Sequence, residues 1–282
     1  MSDSSFHHIP VLLKEAIELL NVKDGGTYVD CTLGGGGHTD AIVTPGVRVF
    51  AFDQDTDAIA AAKEKLSAFD NITYVHDNFS NLKKHIKTPV DGIFFDLGVS
   101  SYQIDAGKRG FSIREDGPLD MRMDQAQELT AEEIINHYPQ SELEKIFFEF
   151  GEERFSRRIA AVIIKSRPLK TTFALKAVIE KAIPTWKKRE SVTRIFQALR
   201  IAVNQELENL KLALRDGIDL LSPAGRIVVI AYHSLEDRIV KQTFRDTAGL
   251  KVLTKKPLLA GEDEIALNSR AKSAKLRAGE KL

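Results

Sequence analysis

The feature that most constrains the fold is a run of four glycines, residues 34–37, between a short apolar strand and a helix. Thr27 to Val29 are typical of the end of a strand, and a helix can begin at Thr39. Glycine loses more conformational freedom on folding than any other residue, and we expect no packing role for four in a row. A strand that breaks into glycines and then a helix brings the backbone of α/β proteins close to a nucleotide-like ligand. We therefore expect the glycines to border a ligand site.

The spacing of the glycines indicates which ligand. A phosphate-binding Walker loop requires a Lys and a Ser or Thr that are absent here, and a dinucleotide fingerprint requires a third glycine where Thr39 stands. The pattern Asp30-x-Thr32-x-Gly34-x-Gly36 is closer to the acidic-x-Gly-x-Gly-x-Gly loop of methyltransferases that use S-adenosylmethionine (SAM), with Thr32 in place of the first glycine. The loop therefore predicts SAM as the cofactor.

An acidic residue after the next strand supports this interpretation. The apolar run from Val47 to Phe52 predicts a second strand, and Asp53 follows it directly. A carboxylate about 20 residues beyond the glycine loop is placed to accept hydrogen bonds from ribose hydroxyls. Asp55 and Asp57 have a simpler explanation at the start of a helix from Thr56. We therefore assign the ribose contact to Asp53.

Bulk composition sets wider limits. The 282 residues suit one large domain or two smaller ones, and the 40 basic and 40 acidic residues give no overall charge that would attract nucleic acid or membrane. The single cysteine, Cys31, excludes an internal disulfide and fits a reducing compartment. Residues 1–20 carry charges within their apolar run, so they are neither a signal peptide nor a membrane span. We expect a soluble, cytoplasmic protein with no membrane partner.

Strands and helices continue to alternate after Asp53. Further apolar runs predict strands over residues 72–75 and 91–95, followed by Phe79 and Asp96 respectively. Short apolar strands separated by helices predict an α/β fold with a parallel, doubly wound sheet. Ligands of such sheets bind beyond the carboxyl ends of the strands. Asp30, the glycines, Asp53, Phe79 and Asp96 all fall at such ends, so we expect them to converge.

The alternation stops for more than a hundred residues. Thr130-Ala-Glu-Glu133 and Ser141-Glu-Leu-Glu144 both match a helix-capping box, and residues 191–221 predict one long helix. The run from Arg226 to Ala231 then restores the sheet as a fifth strand. We predict a SAM-binding domain over residues 1–104 and 216–282, with an all-helical insertion at 105–215 that recognises the substrate.

Basic residues are concentrated in three places although the total charge is zero. The clusters are residues 154–170, with Arg154, Arg157, Arg158, Lys165, Arg167 and Lys170; residues 187–200, with Lys187, Lys188, Arg189, Arg194 and Arg200; and the tail from Arg270 to Arg277. Most charge runs are merely solvated, but three clusters on a neutral protein also suit a polyanion that touches one face.

The fourth strand end bears on the methyl acceptor. Enzymes that methylate exocyclic amino groups of bases usually carry Asp, Asn or Ser before Pro-Pro-aromatic at this point, and the side-chain oxygen accepts an amino hydrogen. Here Asp96 is present, while Leu97, Gly98 and Val99 replace the prolines and the aromatic residue. Methylation at C5 of cytosine needs a cysteine nucleophile in this loop. It is excluded because Cys31 lies in the glycine motif.

The sequence as a whole resembles a known family, the MraW/RsmH-type bacterial 16S rRNA (cytosine-N4)-methyltransferases. The resemblance spans nearly the whole chain in order, with one departure at Ser269, where proline is expected. The matching segments are residues 8–13, 30–38 (DCTLGGGGH), 95–101 (FDLGVSS), 109–114, 117–124 (GPLDMRMD), 193–204 (TRIFQALRIAVN), 232–238 (YHSLEDR) and 268–277.

The resemblance implies a class I SAM-dependent methyltransferase fold, Rossmann-like, with a helical insertion. It implies methyl transfer to the N4 of a cytidine in the decoding centre of 16S rRNA. We expect the substrate to be the 30S subunit, with free rRNA as the alternative. The residues it implies for SAM binding are Gly36, Gly37, His38, Asp53, Phe79, Asp96 and Gln103. Of these, His38 and Gln103 come from the resemblance alone.

Further residues are expected to face the acceptor. His233, Ser234, Glu236 and Arg238 follow the fifth strand and should border the substrate, and Arg114 and Arg122 could hold phosphates or pack on the base. The histidines show no metal-ligand spacing, so we expect no metal. The oligomeric state, monomer or homodimer, stays open.

Asp96 is the predicted catalytic residue, orienting N4 and receiving its proton directly or through water; cofactor binding alone is the alternative. Two other classes of protein also share parts of the pattern. A nicotinamide dehydrogenase would share the fold and Asp53, but this chain lacks the third glycine that its fingerprint requires. A non-catalytic RNA-binding assembly factor would need the basic clusters but no intact cofactor loop.

Overall fold

The computed structural model describes residues 10–99 and 109–282. These residues form two compact units, one within residues 1–100 and 207–282 and the other within residues 101–206. Within the described part of the chain, no helix is long and apolar enough to cross a membrane.

The first unit contains a seven-stranded sheet in the order β3-β2-β1-β4-β5-β7-β6. β1 to β5 are mutually parallel, while β7 runs antiparallel to β5 and β6 antiparallel to β7. The strands are β1 (Thr27–Asp30), β2 (Arg48–Asp53), β3 (Ile72–His76), β4 (Val90–Asp96), β5 (Leu221–Ala231), β6 (Leu250–Val252) and β7 (Lys275–Lys281). The chain moves outward in one direction from β1 and in the other from β4, so the switch point lies between these strands.

Helices cover both faces of this sheet. They are α1 (Leu13–Leu20), α2 (Gly37–Ile42), α3 (Thr56–Lys65), α4 (Leu82–His85), α10 (Glu206–Leu220), α11 (Ser234–Asp246) and α12 (Glu262–Leu267). Alternate residues of β4 serve the two faces, because Ile93 and Phe95 pack in one core cluster and Phe94 in the other. This two-residue period within the apolar run Ile93–Phe95 is what burial on both faces requires. The predicted doubly wound α/β sheet is therefore confirmed.

The second unit is helical. Its described helices are α5 (Ala131–His137), α6 (Gln140–Glu149), α7 (Ser156–Ser166), α8 (Thr172–Ala182) and α9 (Lys188–Asn204). They bury their apolar stripes in one cluster centred on residues such as Phe147, Ile159 and Leu199, which are fully inaccessible to solvent. The unit ends at residue 206 rather than at the predicted 215, because Leu210, Ala213 and Leu214 of α10 pack in the core of the sheet.

The prediction of one long helix over residues 191–221 was wrong. The chain forms two helices, α9 and α10, separated by Gln205, whose φ of 51° is left-handed. Asn204 explains the break, because its buried amide bonds the backbone of Met121 and Met123. The Arg200 guanidinium also bonds both carboxylate oxygens of Glu206 across the break, at 2.8 and 2.9 Å.

One of the two predicted capping boxes is also wrong. Thr130 does cap α5, since its side chain accepts a hydrogen bond from the Glu133 amide. Ser141, in contrast, lies inside α6, which begins at Gln140 after an extended Pro139. Pro139 takes the N-cap position, so the helix starts two residues earlier than the Ser-x-x-Glu pattern indicates.

Candidate active site

The carboxyl ends of β1, β2 and β4 are joined by buried polar side chains. Asp30, at the end of β1, is inaccessible to solvent and accepts hydrogen bonds from the Thr32 amide at 3.0 Å and the Thr39 hydroxyl at 2.6 Å. The Thr32 hydroxyl in turn accepts the Asp96 amide of β4 at 2.6 Å. Burial raises the pKa of Asp30 above its ordinary value, and these two donors oppose the rise. Asp30 therefore fixes the shape of the glycine loop by bonding the residues on either side of the glycines.

Two glycines of the loop are required by close packing. Gly36 has a left-handed φ of 72°, and a Cβ added to it would lie 2.9 Å from Leu66 Cδ1. A Cβ on Gly37 would lie 2.6 Å from Pro10 Cγ. The expectation that the glycines have no packing role was therefore wrong for these two. Any side chain here would displace the loop or its neighbours.

Asp53 holds the loop from the next strand. Its Oδ2 accepts the Gly34 amide at 2.9 Å and its Oδ1 accepts the Asp55 amide at the same distance. Burial raises the pKa of this carboxyl from 3.8 to about 6, against the lowering effect of the two amides. Each oxygen keeps a lone pair beyond its backbone partner, so the group can still accept hydroxyl donors. Asp55 itself caps α3 through the Asp57 amide, as predicted.

Asp96 lies between a tyrosine and a histidine at the end of β4. The Tyr232 hydroxyl donates to Asp96 Oδ1 at 2.6 Å, and His38 Nδ1 lies 3.7 Å from Oδ2. Burial and the adjacent carboxylate raise the pKa of Tyr232 well above its usual range, so this hydroxyl stays a donor. Oδ1 is therefore engaged, and Oδ2 is the oxygen left for another partner.

The orientation of His38 follows from its other nitrogen. Its buried ring stacks near Phe94, with centroids 4.5 Å apart, and Nε2 lies 3.0 Å from the carbonyl oxygen of Val11. A carbonyl can only accept, so Nε2 carries the hydrogen and Nδ1 of the neutral ring presents a lone pair towards Asp96. The two groups together can accept a proton.

Residues after β5 form a helix cap. His233 is the N-cap of α11 and its Nδ1 accepts the Glu236 amide, while the buried Glu236 carboxylate accepts the Tyr232 amide at 2.8 Å and the His233 amide at 3.3 Å. This reciprocal capping box engages His233 Nδ1 and Glu236 Oε2, while His233 Nε2 lies 3.1 Å from Glu236 Oε1. Ser234 is half-buried in the first turn and Arg238 is exposed in the second. A substrate contact by any of the four stays a prediction.

The remaining predicted site residues are distributed as follows. Phe79 begins a 3₁₀ turn after β3, and its half-buried ring packs edge-on against Phe95 at 5.7 Å. In the helical unit, Arg114 is exposed. The Arg122 guanidinium is bonded to Asp120 and to two carbonyl groups of its own loop, so most of its donors are engaged there. Gln103 lies outside the described residues.

Tyr232 is the site residue that sequence reasoning missed. It lies inside the matched segment 232–238 and directly after β5, whose register against β4 pairs Asp96 with Ile230. The position of Tyr232 directly after a strand could have indicated a place near Asp96, since neighbouring parallel strands end at the same edge of the sheet. The hydrogen bond to Asp96 itself, however, depends on side-chain geometry that no spacing encodes.

The comparisons with known proteins agree with one another. The model of the MraW methylase family matches residues 5–282. A protein from Brevibacillus brevis named ribosomal RNA small subunit methyltransferase H is 47% identical over the full length of both chains. One of the same name from Trichormus variabilis is also 47% identical and covers 100% of this chain and 94% of its own.

Solved structures support the fold. A candidate rRNA methylase from Clostridium thermocellum has a TM-score of 0.50 at 18% identity, covering 98% of this chain and 100% of its own. A candidate methyltransferase from Streptococcus mutans in complex with SAH has a TM-score of 0.50 at 13% identity, with the same coverage. At such identities the likeness concerns the fold, which is that of class I methyltransferases.

Proposed function

The chain belongs to the MraW methylase family, and on this premise we propose that it transfers a methyl group from SAM to the exocyclic N4 of a cytidine in 16S rRNA. The relatives' names support the coarser activity, methylation of small-subunit rRNA. The observation that carries the finer proposal is the Asp96 carboxylate, with Oδ1 held by Tyr232 and Oδ2 left for an amino hydrogen. We place the target in the decoding centre of the 30S subunit, and the enzyme in the cytoplasm with its substrate.

The loop residues fit SAM. Gly36 and Gly37 allow the loop its close packing against Leu66 and Pro10, Asp53 offers lone pairs to ribose hydroxyls, and the buried carboxylates suit a cationic ligand. We assign to this site Gly36, Gly37, His38, Asp53, Phe79 and Asp96, together with Gln103. SAM supplies a methyl group already activated by the positive sulfur.

The protein contributes orientation and proton acceptance. The N4 lone pair of cytosine is delocalised into the ring, and a hydrogen bond from the amino group to Asp96 Oδ2 increases its availability for in-line attack on the methyl carbon. The new C–N bond forms as the C–S bond breaks, and the methylated nitrogen then loses one proton. The target base leaves its stack to reach the edge of the sheet.

Asp96 Oδ2 is the proposed first acceptor of that proton. His38 Nδ1 is the next basic atom, and its 3.7 Å separation from Oδ2 is longer than a hydrogen bond, so one water or a small side-chain shift completes the path. Because Nε2 faces the Val11 carbonyl, the imidazolium formed would keep both nitrogens paired. Tyr232 acts as a positioning residue for Asp96.

Methyl transfer to 30S subunits tests the proposed function directly. The substrate is 30S subunits from cells that lack this protein, incubated with labelled SAM and then digested to nucleosides. We expect the label in N4-methylcytidine. Label in any other nucleoside would contradict the N4 assignment, and a non-catalytic assembly factor predicts no transfer to 30S subunits or to free rRNA.

The pKa of Asp53 predicts a pH-dependent affinity for SAM. Hydroxyl donors and a cationic ligand both favour the ionised carboxylate, and with a pKa of about 6 that form is depleted as the pH falls. We expect the Kd for SAM to rise about tenfold per pH unit below pH 6. Titration calorimetry between pH 5 and pH 8, in buffers of different ionisation enthalpy, measures both the Kd and the proton release on binding.

Asp53→Asn is the control for this pH profile. The variant cannot ionise, so its weaker binding should be nearly independent of pH over the same range. Protonation of Asp53 does not raise the Kd by unfolding the protein. Because the pKa of this carboxyl is higher in the folded state, its ionisation above pH 6 destabilises the fold, and its protonation at lower pH removes that destabilisation. Parallel wild-type and Asn profiles would contradict the assignment.

A further inference from the structure

The exposed face of α8 in the helical unit carries aromatic and basic side chains in one stripe. Phe173 is 42% exposed at the middle of this face, and the half-buried Lys176 and exposed Lys181 flank it on either side. The opposite face, with Leu175, Val178, Ile179 and Ala182, is buried in the core of the unit. The exposed residues therefore make no contribution to that core.

A tryptophan extends this stripe beyond the helix. Trp186 lies in the 3₁₀ turn Thr185–Lys187, and 77% of its side chain is exposed. The Lys187 ammonium lies 5.2 Å from the Trp186 ring centroid, and the Lys176 ammonium lies 5.4 Å from that of Phe173. Each aromatic ring is thus accompanied by a cation. We call Phe173, Lys176, Lys181 and residues 186–189 the α8 stripe.

The charge of the α8 stripe is only partly neutralised. Glu190 pairs with Lys187 at 2.5 Å and with Arg194 at 2.7 Å. Within the described ranges, no carboxylate pairs with Lys181, Lys188 or Arg189, and Arg189 is exposed. Glu180 also lies on this face, and the Lys176 ammonium donates to the carbonyl of Ile113 at 3.2 Å. The stripe's cations still outnumber the two neighbouring carboxylates, Glu180 and Glu190, so an anionic partner meets a net positive surface next to flat apolar rings.

We propose that the α8 stripe binds a single-stranded segment of rRNA. Bases would stack on Trp186 and Phe173, and phosphates would lie beside the lysines and Arg189. The helix rises about 14 Å from Phe173 to Ala182, and Trp186 follows four residues later, so the stripe has the length of a short strand. Charge complementarity favours RNA over a protein partner here. The inference rests on the proposed rRNA substrate and assigns its contact to one of the three basic clusters.

Intrinsic fluorescence tests the stacking, because Trp186 is the only tryptophan in the chain. The full-length protein is titrated with a single-stranded oligoribonucleotide carrying a fluorescent label that does not overlap with tryptophan. We expect quenching of Trp186 emission and protection from acrylamide in step with the anisotropy change of the RNA. RNA binding that leaves the emission and accessibility of Trp186 unchanged would overturn the proposal. Protection by ribosomal proteins but not by RNA would overturn it too.

Variants connect the stripe to the methyl transfer. Trp186→Ala and Phe173→Ala are each expected to raise the KM for 30S subunits roughly tenfold without changing the Kd for SAM. Phe148→Ala is the matched control, since Phe148 is 63% exposed on α6 of the same unit but is flanked by Glu144 and Glu149. We expect its KM to match that of the wild type.

The outcomes separate this inference from the proposed function. If the wild type methylates 30S subunits and both stripe variants keep its KM, the stripe assignment fails and the function stands. If RNA quenches and shields Trp186 while no cytidine is methylated, the function fails and the stripe stands. An equal loss in Phe148→Ala would show a general effect of exposed aromatic residues and overturn the assignment.

Discussion

Asp96→Ala is expected to lower kcat for methyl transfer by about 100-fold or more at saturating SAM. Alanine removes the oxygen proposed to accept the N4 hydrogen and then the departing proton, and it also removes the partner of the Tyr232 hydroxyl. The Kd for SAM, measured in the same preparation, separates this loss from weaker cofactor binding. Full turnover in Asp96→Ala would exclude a catalytic role whatever happened to that Kd.

Asp96→Asn divides the two proposed roles of the carboxylate. Asparagine keeps an oxygen acceptor of the same size but is not a base, so a small loss of kcat would assign Asp96 to orientation alone. A loss close to that of alanine would assign it to proton acceptance as well.

Tyr232→Phe belongs to the same series. It removes one hydrogen bond to a charged group while retaining the ring, so we expect kcat to fall about tenfold. As a positioning residue, Tyr232 should change kcat and its pH dependence while the KM for 30S subunits stays the same. A change confined to thermal stability would make its role structural.

The sheet could be predicted from the sequence because local pattern and tertiary environment agree there. Strands such as β4, with Ile93, Phe94 and Phe95 in succession, are buried on both faces, and an uninterrupted apolar run can satisfy only that environment. The positions of Asp53 and Asp96 followed, since each ends a strand whose existence was already clear.

The details of the site could be predicted less well, because they depend on contacts remote in sequence. The pairing of Tyr232 with Asp96 spans 136 positions, and the helix break at Gln205 depends on the bonds of Asn204 to Met121 and Met123. Gln205 itself carries no break signal, since only Gly and, less often, Asn favour a left-handed φ. Composition likewise gave no hint that Trp186 would be exposed, since large aromatic residues are usually mostly buried.

The adjacent residues Phe147 and Phe148 give the largest expected contrast in stability. Phe147 is inaccessible to solvent in the core of the helical unit, whereas Phe148 is 63% exposed on the same helix. Phe147→Ala removes buried apolar surface and leaves a cavity, so we expect the free energy of unfolding to fall by about 3–5 kcal/mol. Phe148→Ala should change it by less than about 0.5 kcal/mol. Urea denaturation followed by circular dichroism measures both values.

The variants Phe147→Ala and Phe148→Ala also test whether cofactor binding and RNA binding belong to different units. The proposed cofactor residues from Gly36 to Asp96 belong to the sheet unit, whereas Gln103 and the α8 stripe fall within the range of the helical unit. If Phe147→Ala partly unfolds the helical unit, we expect the Kd for SAM to stay at the wild-type value while methyl transfer to 30S subunits is lost. Joint loss of SAM binding and helical structure would instead show that the sheet unit does not hold its cofactor independently, because Phe147 itself lies outside the cofactor residues.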